Sequence, residues 1–336
     1  MNRILQIGFV SYFSFAAFAA VTGTVTNRTT GKPEAGATVT LYKFGQGGME
    51  PVDKTKTDAQ GQFTINRDTS GTPGPSMVRV ELDGVTYNHI MPPGTPTTGI
   101  DMSVYNASRE PGAAKVSKHM LLFEPANGQM VVNETLLYEN TGKTTWNDPK
   151  DGTLHFYLPA SANGQVDVKA SAPDGMPVPV PTDKTSKPDI YVAKFEIKPG
   201  ETRFDLTYTV PYKEGEPYSG KIVTNDDNTY LIAPSGVTMQ AAGVTDLGTE
   251  PRTQAHIYGF TGKDYKIQLT GTETAPPDQP AADDSSSGPQ IEQIMPRLYD
   301  KAKLIILLAL GILALGFAIL YRAGGAVKEQ HERGPR

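Results

Sequence analysis

The sequence predicts an all-β exported body in two parts, followed by one apolar helix near the C-terminus. Three observations carry that expectation. Short apolar–polar alternations recur along residues 20–271, separated by Gly, Pro, Asn and Asp. The first nineteen residues have the layout of an export signal. Residues 304–320 form a run with no polar or charged side chain.

Composition narrows the class. A chain of 336 residues allows two or three domains at roughly 100–200 residues each. Lys and Arg number 31 against 36 Asp and Glu, a net charge of -5, which argues against a nucleic-acid partner. The chain has no cysteine. Disulfide scaffolds, Cys-ligated zinc, iron–sulfur clusters and thiol chemistry are therefore excluded. An exported body of this size without disulfides points to a bacterial envelope protein. The sequons at Asn27, Asn106 and Asn133 read as incidental.

In chain order, residues 1–19 read as a signal peptide. Arg3 supplies the positive end, an apolar stretch follows, and Ala17-Phe18-Ala19 offers the small-x-small cleavage pattern. Residues 20–105 read as a small β-sandwich. Val21, Gly23 and Val25 alternate with threonines. Thr30-Gly31-Lys32-Pro33 makes a turn. Ala37, Val39 and Leu41 form one inward face, and Thr57 to Gly61 turns into Gln62-Phe63-Thr64-Ile65. Residues 77–82 and 85–90 pair across Asp83-Gly84, a two-residue hairpin signal.

These blocks carry a resemblance. Gly23-x-Val25, Thr30-Gly31-Lys32-Pro33, Gly36-Ala37-x-Val39-x-Leu41 and Thr57-Asp58-x-x-Gly61-x-Phe63-x-Ile65 occur in the order seen in the carboxypeptidase regulatory-like domain. The resemblance covers about a quarter of the chain. It implies a transthyretin-like Greek-key sandwich, similar to carbohydrate-binding modules. It implies no peptidase activity, because that domain is an accessory beside a catalytic unit.

Residues 106–271 read as a second, larger β-sandwich region, opened by a short connector at 106–111. Met130, Val132, Leu136 and Tyr138 share a phase that Glu134 interrupts. Leu154, Phe156 and Leu158 alternate, as do Tyr191, Ala193, Phe195 and Ile197, then Phe204, Leu206, Tyr208 and Val210. Pro199-Gly200-Glu201-Thr202 between the last two sets looks immunoglobulin-like, and the region is one large sandwich or two small ones. Residues 272–290 form an extended Pro/Ser/Asp linker with four acids and no base. Residues 291–303 are a juxtamembrane segment containing Pro296. Residues 304–321 are the transmembrane helix, with Tyr299 and Tyr321 at the interfaces and Lys301, Lys303 and Arg322 reaching the headgroups. Residues 322–336 are a cytoplasmic tail, so the β body faces the periplasm or exterior. Ala314 and Ala318 offer one small-residue step for helix pairing.

No catalytic, metal or cofactor site is expected. His89, His119, His155, His256 and His331 show no ligand spacing. Ser235 reads as a turn residue, Gly45-Gln46-Gly47-Gly48 as a hairpin loop, and Asn225-Asp226-Asp227-Asn228 as a turn without calcium spacing. The candidate binding residues are Trp146, Tyr212, Tyr218 and Tyr230, which stand in polar or Pro/Gly-rich surroundings. They are either platforms for sugars or proteins or rim packing of the sandwich. The expectation is a non-catalytic, membrane-anchored periplasmic scaffold or accessory protein serving an envelope protein. The alternatives are a polysaccharide-binding envelope protein and an enzyme whose site forms only in three dimensions.

Overall fold

The computed structural model describes residues 20–45, 48–67, 74–173, 175–225 and 229–272. The expected signal peptide, nearly all of the linker, the juxtamembrane segment, the membrane helix and the tail lie outside these residues, as do Gln46, Gly47, Asp226, Asp227 and Asn228. The described residues belong to one compact unit, Met1–Pro277. Among them the regular elements are strands apart from one short 3-10 turn, Ala160–Ala162, and no helix is long and apolar enough to cross a membrane. The all-β expectation therefore holds for this body.

The N-terminal part contains β1 (Val21–Asn27), β2 (Lys32–Pro33), β3 (Thr38–Gly45), β4 (Gly48–Lys56), β5 (Gln62–Ile65), β6 (Ser76–Leu82), β7 (Val85–Met91) and β8 (Ile100–Val104). One sheet runs β2-β1-β5, with β8 parallel to β1; the other runs β4-β3-β6-β7. Alternation along each strand sends Val21, Val25, Phe63, Ile65 and Ile100 from the first sheet against Val39, Leu41, Val78 and Val80 from the second. Gly23 lies where the parallel pair closes. A Cβ there would sit 2.7 Å from Phe63 Cζ and closer still to the Ile100 carbonyl. The β6–β7 hairpin turns on Asp83 and Gly84, both with positive φ (51° and 76°), which is why an Asp-Gly pair suits it.

The second part begins with β9 (Ala107–Ser108), β10 (Ala114–Ala126), β11 (Gln129–Asn140), β12 (Thr145–Trp146) and β13 (Leu154–Tyr157). Then come β14 (Asp167–Ser171), β15 (Val178–Pro179), β16 (Thr182–Lys184), β17 (Ile190–Ala193) and β18 (Gly200–Pro211). The last are β19 (Pro217–Lys221), β20 (Thr229–Ala233), β21 (Thr238–Ala241), β22 (Val244–Thr249), β23 (His256–Phe260) and β24 (Asp264–Thr270). An eight-stranded sheet runs β15-β14-β18-β11-β10-β20-β23-β22. Two three-stranded sheets, β13-β17-β16 and β19-β24-β21, share a single core with its inner face. That core includes Leu121, Phe123, Met130, Val132, Leu136, Leu154, Phe156, Phe204, Leu206, Leu231, Ile267 and Leu269.

One expectation is corrected here. The β10–β20 pair at the centre of the large sheet is parallel, which departs from an antiparallel immunoglobulin-like sandwich. The alternations over 191–197 and 204–210 lie in different sheets. β17 pairs with β13 and β16, whereas β18 enters the large sheet between β11 and β14.

Buried polar contacts join the two parts. On the second part's side of the junction, β9 and β12 pair in parallel, and Trp146 also bridges Ile197. The Tyr87 hydroxyl lies 2.9 Å from Thr145 Oγ1 and donates to the Tyr105 carbonyl at 2.8 Å. Lys198 reaches from the second part to the Thr86 carbonyl at 2.6 Å, stands 5.2 Å from the Tyr87 ring centroid and meets Glu196 at 3.4 Å. Burial pushes the Lys198 ammonium down from its ordinary pKa, opposed by Glu196, and pushes the Tyr87 phenol up to about 12. Thr29 Oγ1 accepts from the Asn106 amide and donates to the Lys143 carbonyl.

Candidate interaction surface

The eight-stranded sheet presents its functional groups on two faces. On the inner face, alternation along β10 and β11 buries His119 and Glu134 among Leu121, Phe123 and Leu136. Their Nε2 and Oε1 atoms are 2.7 Å apart, and His119 is 1 % exposed. The Tyr208 hydroxyl lies 3.3 Å from that of Tyr218, and Tyr265 stacks edge-on against Phe123. Burial holds the Tyr208 and Tyr265 phenols well above the ordinary tyrosine range and Tyr218 at about 12. Burial keeps this cluster in the protonated, hydrogen-bonded form that a sandwich interior tolerates.

The outer face is divided. Over β11, β18 and β14 it carries a polar ladder. Asn133 Nδ2 donates to Glu124, and Thr207 Oγ1 donates to Asn133 Oδ1 at 2.8 Å. Thr135 Oγ1 donates to Asp205 Oδ1 at 2.8 Å, and Arg203 grips both Asp205 oxygens. Burial raises the Asp205 pKa, but the Arg203 and Thr135 hydrogen bonds outweigh it and hold the carboxyl below its ordinary value.

Over β10, β20, β23 and β22 the same face is mainly apolar, with Gly259 and Thr245 among its outward positions and Lys118 and Glu124 flanking it along β10. Met120 stands opposite Tyr230 and Leu122 opposite Ile232 across the parallel pair. Ile232 faces Ile257, and Tyr230 faces Gly259. Leu247, 54 % exposed, lies against Gly259. None of Met120, Leu122, Tyr230, Ile232, Ile257 or Leu247 belongs to the core or packs against it.

The four candidate aromatics separate accordingly. Tyr230 alone reaches this apolar face. Tyr212 and Tyr218 are 8 % and 9 % exposed core residues, so of the two readings these side chains fit packing of the sandwich rather than open platforms. The Tyr212 hydroxyl donates to the Leu269 carbonyl at 3.0 Å and accepts from its amide at 2.8 Å. Tyr218 packs against Phe123 and Tyr265. Trp146 is half-buried in β12, tilted against Tyr138, and its Nε1 donates to the Arg109 carbonyl. The sequon asparagines are also engaged: Asn27 Nδ2 donates to Glu34 and Asn106, and Asn133 sits in the polar ladder. His119, Glu134 and the apolar face are the features that sequence reasoning missed.

Two further features complete the survey. An open cleft of about 510 Å³ lies beside the β10–β11 turn, lined by Asn127, Gly128, Tyr212, Lys213, Glu214 and Thr272. Among the described residues no group of three or more His, Cys, Asp or Glu side chains is placed to hold a metal ion.

No family model and no curated protein matches the chain. Among solved structures, native yeast LTA4 hydrolase is similar over 47 % of this chain and 29 % of its own, at 8 % identity and a TM-score of 0.32. An M1 zinc metallopeptidase from Deinococcus radiodurans is similar over 46 % of this chain and 42 % of its own, at 10 % identity and a TM-score of 0.24. The chain thus spans less than half the length of either, and at these scores the likeness carries no argument about fold or activity.

Proposed function

We propose that this chain is a non-catalytic, membrane-anchored scaffold that presents two fused β bodies to an envelope protein outside the cytoplasmic membrane. The reading takes residues 1–19 as signal peptide, 272–290 as linker, 304–321 as a single membrane span and 322–336 as cytoplasmic tail. The transthyretin-like, carboxypeptidase regulatory-like resemblance of residues 20–105 is part of it and is supported by the pairing of β1 with both β5 and β8.

The observation that carries the proposal is the junction. Lys198 is 14 % exposed, and Tyr87 is buried. Holding an ammonium and a phenol away from water is unfavourable unless both are hydrogen-bonded, as they are here. Such a joint opposes hinge motion between the parts, and a fixed spacing between binding surfaces is what a scaffold supplies. Glycan binding draws less support, because Tyr212 and Tyr218 are buried and Trp146 is half-buried.

Cross-linking followed by pull-down from native membranes tests the proposal, using the full chain and a variant lacking residues 291–336. One dominant protein partner, retained without the anchor, is the expected result. Recovery of no protein sinks the scaffold reading and directs the next experiment to polysaccharide titration.

A further inference from the structure

We infer that the outer edge of β7 pairs antiparallel with the β7 edge of a second copy of this chain, joining the four-stranded sheets of two first parts into one continuous sheet. This goes beyond the scaffold reading and does not depend on it.

The β6–β7 hairpin fixes which backbone groups face out. Its turn is the two residues Asp83 and Gly84, so Leu82 and Val85 form a hydrogen-bonded pair. Alternation then turns the backbone groups of Val85, Tyr87, His89 and Met91 toward β6 and those of Thr86, Asn88 and Ile90 toward the edge. Lys198 agrees with this phase, since its Nζ reaches the Thr86 carbonyl from the second part at 2.6 Å. β7 ends the order β4-β3-β6-β7, and Asn88, His89 and Ile90 are exposed.

Other edges are blunted. β4 contains Pro51, and its ladder shifts at Leu41/Tyr42. β15 stands in the run Pro177-Val178-Pro179-Val180-Pro181, and β22 carries a bulge between Asp246 and Thr249. β7 runs seven residues with no proline, no lysine and no register shift. An edge of this kind recruits extended backbone, because only another strand matches its alternating donors and acceptors.

The ends of the edge select a second copy of the same strand. At one end the Thr86 carbonyl is already taken by Lys198. At the other, Pro92 follows Met91 and has no N–H to give. Set His89 opposite His89 of the copy, and Asn88 falls opposite Ile90 in both directions. Each of those pairs exchanges both of its N–H···O=C bonds. Thr86 then faces Pro92, so the acceptor that needs no donor meets the residue that lacks one. A slip of two residues one way sets the Ile90 N–H against the occupied Thr86 carbonyl. A slip the other way sets the Asn88 carbonyl against Pro92. Antiparallel pairing also keeps the two Lys198 side chains at opposite ends of the ladder, and it covers Ile90, which is 41 % exposed.

So short a ladder is a weak contact in dilute solution, so the test traps it. The chain has no cysteine, and each introduced one therefore reports by itself. His89→Cys sets two thiols at a non-hydrogen-bonded cross-strand pair, where side chains stand closest. Thr86→Cys places them roughly 20 Å apart along the same ladder, and Lys54→Cys lies on the blunted β4 edge. The full-length chain is treated with a mild oxidant in its native cell extract, membranes included. A disulfide-linked dimer of His89→Cys is expected, at least tenfold above Thr86→Cys and Lys54→Cys. Adding Ile90→Lys should cut that yield at least tenfold, and adding Ile90→Val should preserve it. Equal yields at the three positions, no dimer from His89→Cys, capture of a different polypeptide in its place, or a yield unchanged by Ile90→Lys each overturn the inference.

Discussion

β10 and β11 carry polar side chains on both faces, and the two faces handle them in opposite ways. Inside, Glu134 and His119 meet at 2.7 Å among Leu121, Phe123 and Leu136. Outside, Glu124, Asn133 and Thr207 form one chain of bonds, and Thr135, Asp205 and Arg203 another. The inner pair has no bulk water to replace a lost partner, whereas every member of the outer ladder does. The same kinds of group therefore differ severalfold in what their loss costs. Most of the sheet's polar specificity lies inside, where a mismatch is punished.

Glu134→Ala tests that contrast at its largest. Removing the carboxylate leaves a buried imidazole nitrogen without its hydrogen-bond partner and costs about 1–3 kcal/mol, read as a fall in the denaturation midpoint at unchanged slope. His119→Leu combined with Glu134→Met replaces both partners with apolar groups and should recover most of the loss. A double variant as unstable as Glu134→Ala would mean that the pair does more than satisfy itself.

Raising the pH probes the buried tyrosines without mutation. Tyr87 and Tyr218 hold their protons to about pH 12, while an unfolded tyrosine releases its proton near 10. Between those values the unfolded chain binds fewer protons than the folded one, so stability falls as pH rises. Below about pH 10 both states keep the proton and no penalty exists. Each phenol contributes on the order of 2–3 kcal/mol to the fall by pH 12. Tyr218→Phe should flatten the decline, as followed by thermal melts from pH 8 to 11. A decline equally steep in the variant would assign the alkaline sensitivity elsewhere.

Tyr87→Phe moves the contrast to the junction. It removes one hydroxyl bonded to Thr145 and Tyr105 while keeping the ring beside Lys198. A loss of about 1–2 kcal/mol is expected, with faster amide exchange at β9 and β12 than in either core. Exchange that rises uniformly would mean that the joint is no softer than the bodies it links.

The two faces were unequally legible in the sequence, for physical reasons. Asp83-Gly84 announced its hairpin because positive φ at both turn positions is a local demand. Alternation placed Phe204, Leu206 and Val210 inside, since period 2 needs only one strand. Glu134 read as an interruption, yet its phase with Met130 and Val132 was the signal that it points inward. Its partner His119 depends on a register with a bulge between Val116 and Lys118, which no local pattern encodes. Tyr212 and Tyr218 looked exposed beside Pro and Gly, but Tyr212 is fixed by Leu269, 57 residues away. Residues 230–233, Tyr-Leu-Ile-Ala, are apolar at successive positions, a pattern that does not tell an open face from a buried one. Only the assembled sheet shows that Tyr230 and Ile232 lie half-buried on its outer face while Leu231 and Ala233 enter the core.

The outer face supplies the smallest expected effects, and they complete the contrast. Asp205→Ala removes a half-exposed carboxylate whose partners water can serve, so the loss should stay near 1 kcal/mol or below. The Asp205 pKa lies below its unfolded value, so this contribution is full above about pH 4 and disappears as the pH falls through the folded value. Wild type and Asp205→Ala should thus converge in stability as the pH is lowered through the folded pKa of Asp205. Leu247→Asp should change stability by no more than about 0.5 kcal/mol, because its side chain is largely in water already. A loss of several kcal/mol in Leu247→Asp would make the apolar positions part of what holds the sheet together, and the division of the outer face would be structural.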